Sequence, residues 1–371
     1  MTKDFSSIYI HIPFCEQKCF FCSFVVCVAR NHRINDYLDS LNLEMKNYPK
    51  KKIKTLYVGG GTPSLLDSEQ LKKFFSIVRK NFLIQKECEI TFEVNPDSID
   101  FKKAELLRSL GVNRISVGAQ TFSNKYLNFL GRTHCSKDIR NAVFILRKAG
   151  FLNINLDFMY GFPGQTAKEL TRDLKEITDM KSEHLSLYTL TIDPHSKFYK
   201  TKMLLPRNDT MAKFYVLVVE FLEKKGFRQY EISNFALNKK QSKHNCVYWR
   251  GGNYVGFGIG AHSHLDGKRY WNISKLYDYI VRMQENKSPI EEKEKLGVQS
   301  RLMESLLFGL RMNEGVKIGV LEKEFGRKIS FQKKEMIKDF IDDGFFELKR
   351  GVLQVTMKGR LVLDELSARL I

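Results

Sequence analysis

From Ile8 to about Ile192 short β-branched or aromatic runs alternate with amphipathic helical stretches, and that rhythm leaves few folds open besides βα units around a parallel sheet. Six strands are expected, over residues 7–13, 55–58, 89–94, 114–117, 153–158 and 185–191. Between them, Ile34, Tyr37, Leu38, Leu41 and Met45 share one helical face, and Asp67 with Gln70 forms a capping pair ahead of Leu71, Phe74, Phe75 and Val78. Asp100 caps a helix stopped by Gly111, and Gly150 ends the helix carrying Ile139, Val143 and Leu146. LGVNRISV and AGFLNINL repeat one device, a glycine ending a helix with a strand close behind. The expected architecture is α/β, a partial (β/α)6 barrel.

In such arrays chemistry sits on the loops at the C-terminal ends of the strands. The first of these loops holds HIPFCEQKCFFCSF, residues 11–24, with Cys15, Cys19 and Cys22 at C-x3-C-x2-C spacing. Packing gives cysteines no reason to recur so closely. Structural zinc takes four closed ligands, and no second pair lies elsewhere; three thiolates suit a 4Fe-4S cluster with one iron left open. Gly59, Gly60, Gly61 and Thr62 follow the second strand, Glu93 ends the third, Gln120 follows the fourth, Asp157 lies within the fifth and Thr191 ends the sixth. The glycines alone could be a tight turn, and the two carboxylates a structural pair. Their gathering at one mouth with the cysteines favours a bound ligand.

Length bounds the rest. With 371 residues there is room for two or three domains, expected at 1–205, 206–290 and 291–371. The N-terminus lacks a charged-then-apolar signal layout, no apolar run is long enough to span a membrane, and the cysteine count of seven is odd, so a reducing, cytoplasmic setting is expected. The formal net charge of +19 comes from lysines spread over almost every helix, a solvated-face pattern. It leaves room for attraction to porphyrin propionates or an anionic membrane surface.

The motifs GGGTPS, EVNPDS, RISVGAQTF, LGRTH, NLDFMYGFPGQT, EISNFA, HNCVYWRGG and GFGIGAHS stand in that order between residues 59 and 263. With HIPFC and CxFCSF, they resemble the radical S-adenosylmethionine superfamily, in the branch of oxygen-independent coproporphyrinogen III oxidase and the heme chaperone HemW. The resemblance implies that the open iron chelates the amino and carboxylate groups of S-adenosylmethionine and that reductive cleavage gives a 5'-deoxyadenosyl radical. It implies cofactor contacts at Tyr9, Phe21, Gly60, Gly61, Thr62, Glu93, Gln120, Arg132 and Asp157, with Thr191 and His262 as further positions. The oxidase carries a fourth cysteine two residues after the third, where this chain has Phe24, and an N-terminal extension ahead of the cluster, whereas here the first cysteine is residue 15. Both departures, and the HNxxYW element His244, Asn245, Tyr248, Trp249, point to the chaperone group. The expected function is heme binding and transfer to acceptor hemoproteins; the alternative is oxidative decarboxylation of coproporphyrinogen III. His244 is the candidate axial ligand of heme, against the plainer reading of a satisfied core histidine. A homodimer and a peripheral membrane contact stay open under the resemblance.

Beyond Pro289 the rhythm ends. Helices are expected over 298–312, 317–325 and 332–342, then strands over 345–349 and 352–356, a winged-helix-like domain. Winged helices often bind DNA, but Glu335, Asp339, Asp342 and Asp343 make the third helix a poor phosphate surface, so nucleic acid is not an expected partner. Cys27, Cys88, Cys135 and Cys246 are expected as buried free thiols.

Overall fold

The computed structural model describes residues 4–201 and 203–371. Six parallel strands follow one another in chain order: β1 (Ser7–Ile12), β2 (Lys52–Gly60), β3 (Leu83–Val94), β4 (Arg114–Gln120), β5 (Ile154–Tyr160) and β6 (His184–Thr189). Helices α1 (Ile34–Lys46), α2 (Ser68–Asn81), α3 (Phe101–Ser109), α4 (Asn124–Leu130), α5 (Ser136–Lys148) and α6 (Ala167–Asp179) lie between or after them. The capping pair on α2 forms in both directions, Asp67 accepting from the Gln70 backbone and Gln70 from that of Asp67. Gly111 and Gly150 take φ of 90° and 86°, the left-handed geometry that ends both preceding helices.

The two faces of these strands differ in kind. Ile8, Ile10, Ile12, Leu56, Val58, Phe92, Ile115, Val117, Leu156 and Leu185 turn outward into one core with the helix faces, including Tyr37, Leu38, Leu41, Phe74 and Phe75. The alternate positions are polar: Tyr9 and His11, Thr55 and Tyr57, Thr91 and Glu93, Ser116, Asn155 and Asp157, His184 and Ser186. Asn155 Oδ1 and His184 Nδ1 stand 2.6 Å apart, and Ser116 donates to Asp157 at 2.7 Å, so this face is held by a hydrogen-bonded network.

The expected break at residue 205 marks no boundary in packing. Helix α7 (Asn208–Lys224) contributes Phe214, Val218, Val219 and Leu222 to the same core. Strands β7 (Arg228–Glu231) and β8 (Asn234–Ala236) extend the sheet beyond β6, and, after α8 (Lys243–Trp249), β9 (Val255–Phe257) adds parallel to β1. The sheet order is β9-β1-β2-β3-β4-β5-β6-β8-β7. A second, antiparallel sheet of β10 (His262–Leu265), β11 (Lys268–Asn272) and β12 (Ile290–Lys295) follows, with α9 (Leu276–Gln284) between its last two strands.

The C-terminal part has its own core. Helix α10 (Val298–Arg311) packs with α11 (Ile318–Phe325) and α12 (Phe331–Asp342) against a small sheet of β13 (Val316–Lys317), β14 (Phe346–Lys349) and β15 (Val352–Val355). It is tied to the preceding segment by the Arg250–Glu314 pair at 3.0 Å, the Arg269–Glu304 pair at 2.7 Å and a hydrogen bond from Asn313 to the Gln229 carbonyl at 2.6 Å. Among the described residues no helix is long and apolar enough to cross a membrane.

Candidate metal centre

The cysteine loop is pinned from three sides. Phe14–Cys15 pairs with Cys27–Val28, the Gly61 and Thr62 amides donate to the Ile12 and Phe14 carbonyls at 2.8 Å each, and the Phe20 amide donates to the Leu130 carbonyl at 2.9 Å. The glycines at the end of β2 and just after it answer to this crowding. A side chain on Gly61 would stand 2.7 Å from the Phe14 carbonyl oxygen, one on Gly60 2.5 Å from the His11 ring, and one on Gly59 2.8 Å from the Glu93 carboxyl. Close approach of the cysteine loop and Glu93 therefore demands them, and Gly60 has φ of 118° besides.

Cys15, Cys19 and Cys22 line one cavity of about 530 Å³ at the C-terminal ends of the parallel strands. Burial pushes the Cys15 thiol up to about 11, with Cys22 and Cys19 adding to the rise, and burial likewise raises Cys22. Two thiols that resist ionisation through burial, with a third sulfur lining the same cavity, fit a site in which a bound cationic iron centre would balance thiolate charge. Arg132 Nη1 donates to Cys19 Sγ at 3.4 Å, while its Nη2 donates to Asn95 Oδ1 at 2.8 Å and the Gly118 carbonyl at 2.9 Å. Its Nε is buried without a partner, a donor left for a ligand carboxylate.

Deeper in the same cavity stand two carboxylates. Glu93 accepts from the Tyr57 hydroxyl at 2.7 Å and the Gly60 amide at 3.1 Å; Asp157 accepts from Ser116 at 2.7 Å and Asn155 at 2.8 Å. Burial, and then nearby Asp157, push Glu93 up to about 7 against the pull of the Tyr57 hydrogen bond. Neither acid has an ion-pair partner among the described residues, so the cavity suits a cationic ligand such as a sulfonium.

Phe21, Gly60, Gly61, Thr62, Glu93, Gln120, Arg132, Asp157 and Thr191 all line this cavity. Thr191 does so from the loop beyond β6, which ends two residues short of the expected strand. Tyr9 does not: its hydroxyl bonds His11 Nδ1 at 3.0 Å and its ring stacks on Tyr57, one layer behind Glu93. His262 lies elsewhere, against Trp271 in β11, because β10 belongs to the separate antiparallel sheet. His244 corrects a further expectation. It is fully buried, Nδ1 pairs with Thr55 Oγ1 at 2.8 Å and Nε2 with the Tyr248 hydroxyl at 2.7 Å, so both ring nitrogens are engaged and neither is offered to heme iron. Burial, then the charge of Arg114, push it down to about 3 and keep it neutral. Cys88 and Cys246 are buried as expected, Cys27 is half-buried, and Cys135 is exposed because it caps the start of α5. Asn95 lines the cavity beside Glu93, at the strand-end mouth where the sequence places it; Tyr57, Ser116 and Tyr188 also line it and are not anticipated, their signal being the polar alternation along each strand.

Residues 9–177 match the radical SAM superfamily, and residues 298–362 match the HemN C-terminal domain. Over 97% of its length the chain is 35% identical to the heme chaperone HemW of Bacillus subtilis, covering 97% of that protein. The chain belongs to the HemW family. The HemW of Lactococcus lactis is 35% identical over 97% of this chain and 95% of its own, and that of Escherichia coli 35% over 69% of each. The fold is also that of coproporphyrinogen III oxidase (HemN) from Escherichia coli, with a TM-score of 0.87 over 98% of this chain and 89% of that one at 23% identity. The HemW family membership and the polar cavity together imply a 4Fe-4S cluster and S-adenosylmethionine, and Cys15, Cys19 and Cys22 are the donor set that suits the cluster.

Proposed function

We propose that this protein binds heme and passes it to acceptor hemoproteins, holding a 4Fe-4S cluster on Cys15, Cys19 and Cys22 with S-adenosylmethionine in the adjoining cavity. When bound, the cluster supplies a one-electron centre and an open iron site. The protein's own residues seat the small molecule: Arg132 offers a guanidinium N–H to its carboxylate, Glu93 and Asp157 offset its positive charge, and Gly59 to Gly61 keep β2 close enough for Glu93 to reach the site.

The observation that carries the chaperone reading over the decarboxylase reading is Phe24. It lines the cavity, 63% exposed, where the oxidase pattern places a fourth cysteine, in a chain whose full-length relatives are named heme chaperones. Cytoplasmic placement, and with it access to newly made hemoproteins, belongs to the same proposal. The test incubates the reconstituted protein anaerobically with coproporphyrinogen III, a reductant and S-adenosylmethionine, and in parallel offers the heme-loaded protein an apo-hemoprotein. Heme delivery without vinyl products is the expected result; vinyl products would overturn it.

A further inference from the structure

Strand β10 carries His262 and His264 two residues apart, so both imidazoles leave one face of the strand. That face meets the end of α8 and the side of α10 around a second cavity of about 320 Å³. The Nδ1 of His264 lies 3.3 Å from the carbonyl oxygen of Gly252, an acceptor that requires the proton on Nδ1 and leaves the lone pair on Nε2. Among the described residues no hydrogen bond engages that Nε2. An imidazole donating through one nitrogen to a backbone carbonyl and offering the other is the arrangement found behind metal-binding histidines.

The surroundings suit a flat, largely apolar ligand with acidic arms. Tyr248 and Tyr254 meet edge to face at 4.5 Å, and Phe308 lines the same cavity, edge-on to Trp249. Arg301 lies 5.5 Å over the Phe325 ring with no ion-pair partner among the described residues. Glu304, the acid of the cavity, is already neutralised by Arg269 at 2.7 Å. The Trp249 indole N–H is buried without an acceptor.

Resting on the heme-carrier reading above, we infer that this cavity between β10, α8 and α10 is the heme-docking site, with His264 Nε2 as axial ligand and Arg301 at a propionate. The cavity stands at the small end of the roughly 300–1,000 Å³ of small-molecule pockets, so part of the ring stays outside, as suits cargo that must be released. His244 is then a positioning residue. Its hydrogen bond to the Tyr248 hydroxyl sets one aromatic wall of the cavity.

Ferric heme titrated into the full-length, cluster-loaded protein and followed as a Soret difference spectrum tests this. The wild-type protein is expected to saturate. His264→Ala should weaken binding roughly tenfold or more, the scale on which changes around a metal site act, and shift the band, with added imidazole restoring it. His262→Ala should leave the band in place. Arg301→Gln should weaken binding of heme but not of heme dimethyl ester, which has no free propionate. Should His264→Ala fail to fold, His264→Met decides, because a methionine ligand keeps uptake while moving the band. An unchanged spectrum and affinity in the His264 variants, with heme uptake intact in the wild type, overturns this site alone. Absence of uptake by the wild type overturns the carrier reading and the site together.

Discussion

Glu93 sits among good donors yet holds its proton near neutrality, because burial costs its anion more than Tyr57 and Gly60 return. The anion is the form that attracts a cationic ligand. S-adenosylmethionine affinity of the cluster-loaded protein, measured by equilibrium dialysis, should therefore fall as pH is lowered from about 8 to about 6. Glu93→Gln should bind more weakly and lose that pH dependence; parallel profiles in the two proteins would remove Glu93 from the site. At this scale the sequence was readable where a residue's chemistry was uncommon. Three cysteines in eight residues and two acids inside apolar runs announced themselves. His244 did not, because a histidine beside tyrosine and tryptophan reads alike whether it holds a metal or a neighbour's hydroxyl; its partner Thr55 is 189 positions distant along the chain.

Among the elements, β2 bears the tightest constraint. Its last residue, Gly60, takes φ of 118° and leaves a side chain only 2.5 Å from the His11 ring. Gly60→Ala should destabilise the protein by about 1–3 kcal/mol from backbone strain alone, visible as a lower midpoint in thermal unfolding and reduced iron content after reconstitution. An unchanged midpoint would mean that β1 can yield. The six parallel strands were legible because their outward positions are apolar and their helices carry caps and terminal glycines. Strand β2 runs longer at both ends than its β-branched run suggested, since Lys52, Ile53 and Gly59 to Gly60 join the ladder through pairing with β3 and β1. Strands β7 to β9 were not legible. Runs of three or four residues carry too little periodicity, and only their pairing to β6 and β1 reveals that residues 228–257 finish the sheet rather than form a domain beside it.

Buried polar ties join distant parts of the whole molecule, and Glu44 on α1 is one of them. It accepts from the Gly258 amide at 2.9 Å, Asn272 at 2.6 Å and the Tyr279 hydroxyl at 2.6 Å, joining α1 to β11, α9 and the loop after β9. Burial nevertheless pushes it up to about 7, as it pushes Glu93 up to about 7 and Asp173 to about 6. Carboxyls raised in the folded state favour folding fully below their unfolded pKa, about 4.3 for Glu and about 3.9 for Asp, and that contribution is lost as pH rises through about 7 for the two glutamates and about 6 for Asp173. Buried His11, His134 and His244, pushed down to about 4, about 4 and about 3, act in the opposite sense, so the share of Glu44 is read as a difference: in the protein free of cofactors, the thermal stability of the wild type relative to Glu44→Gln should fall as pH rises from about 5 to about 7. A slope unchanged in the variant would assign the effect to other groups. One contact reaches further. The Tyr57 ring that serves Glu93 also lies 5.4 Å from the His244 ring, and His244 in turn grips Tyr248, so a single partition of aromatic rings separates the two ligand chambers. If that partition has two arrangements, each occupant must alter its counterpart's dissociation constant by the same factor, and parallel titrations, heme with and without S-adenosylmethionine and the converse, would measure how tightly loading and hand-over are linked.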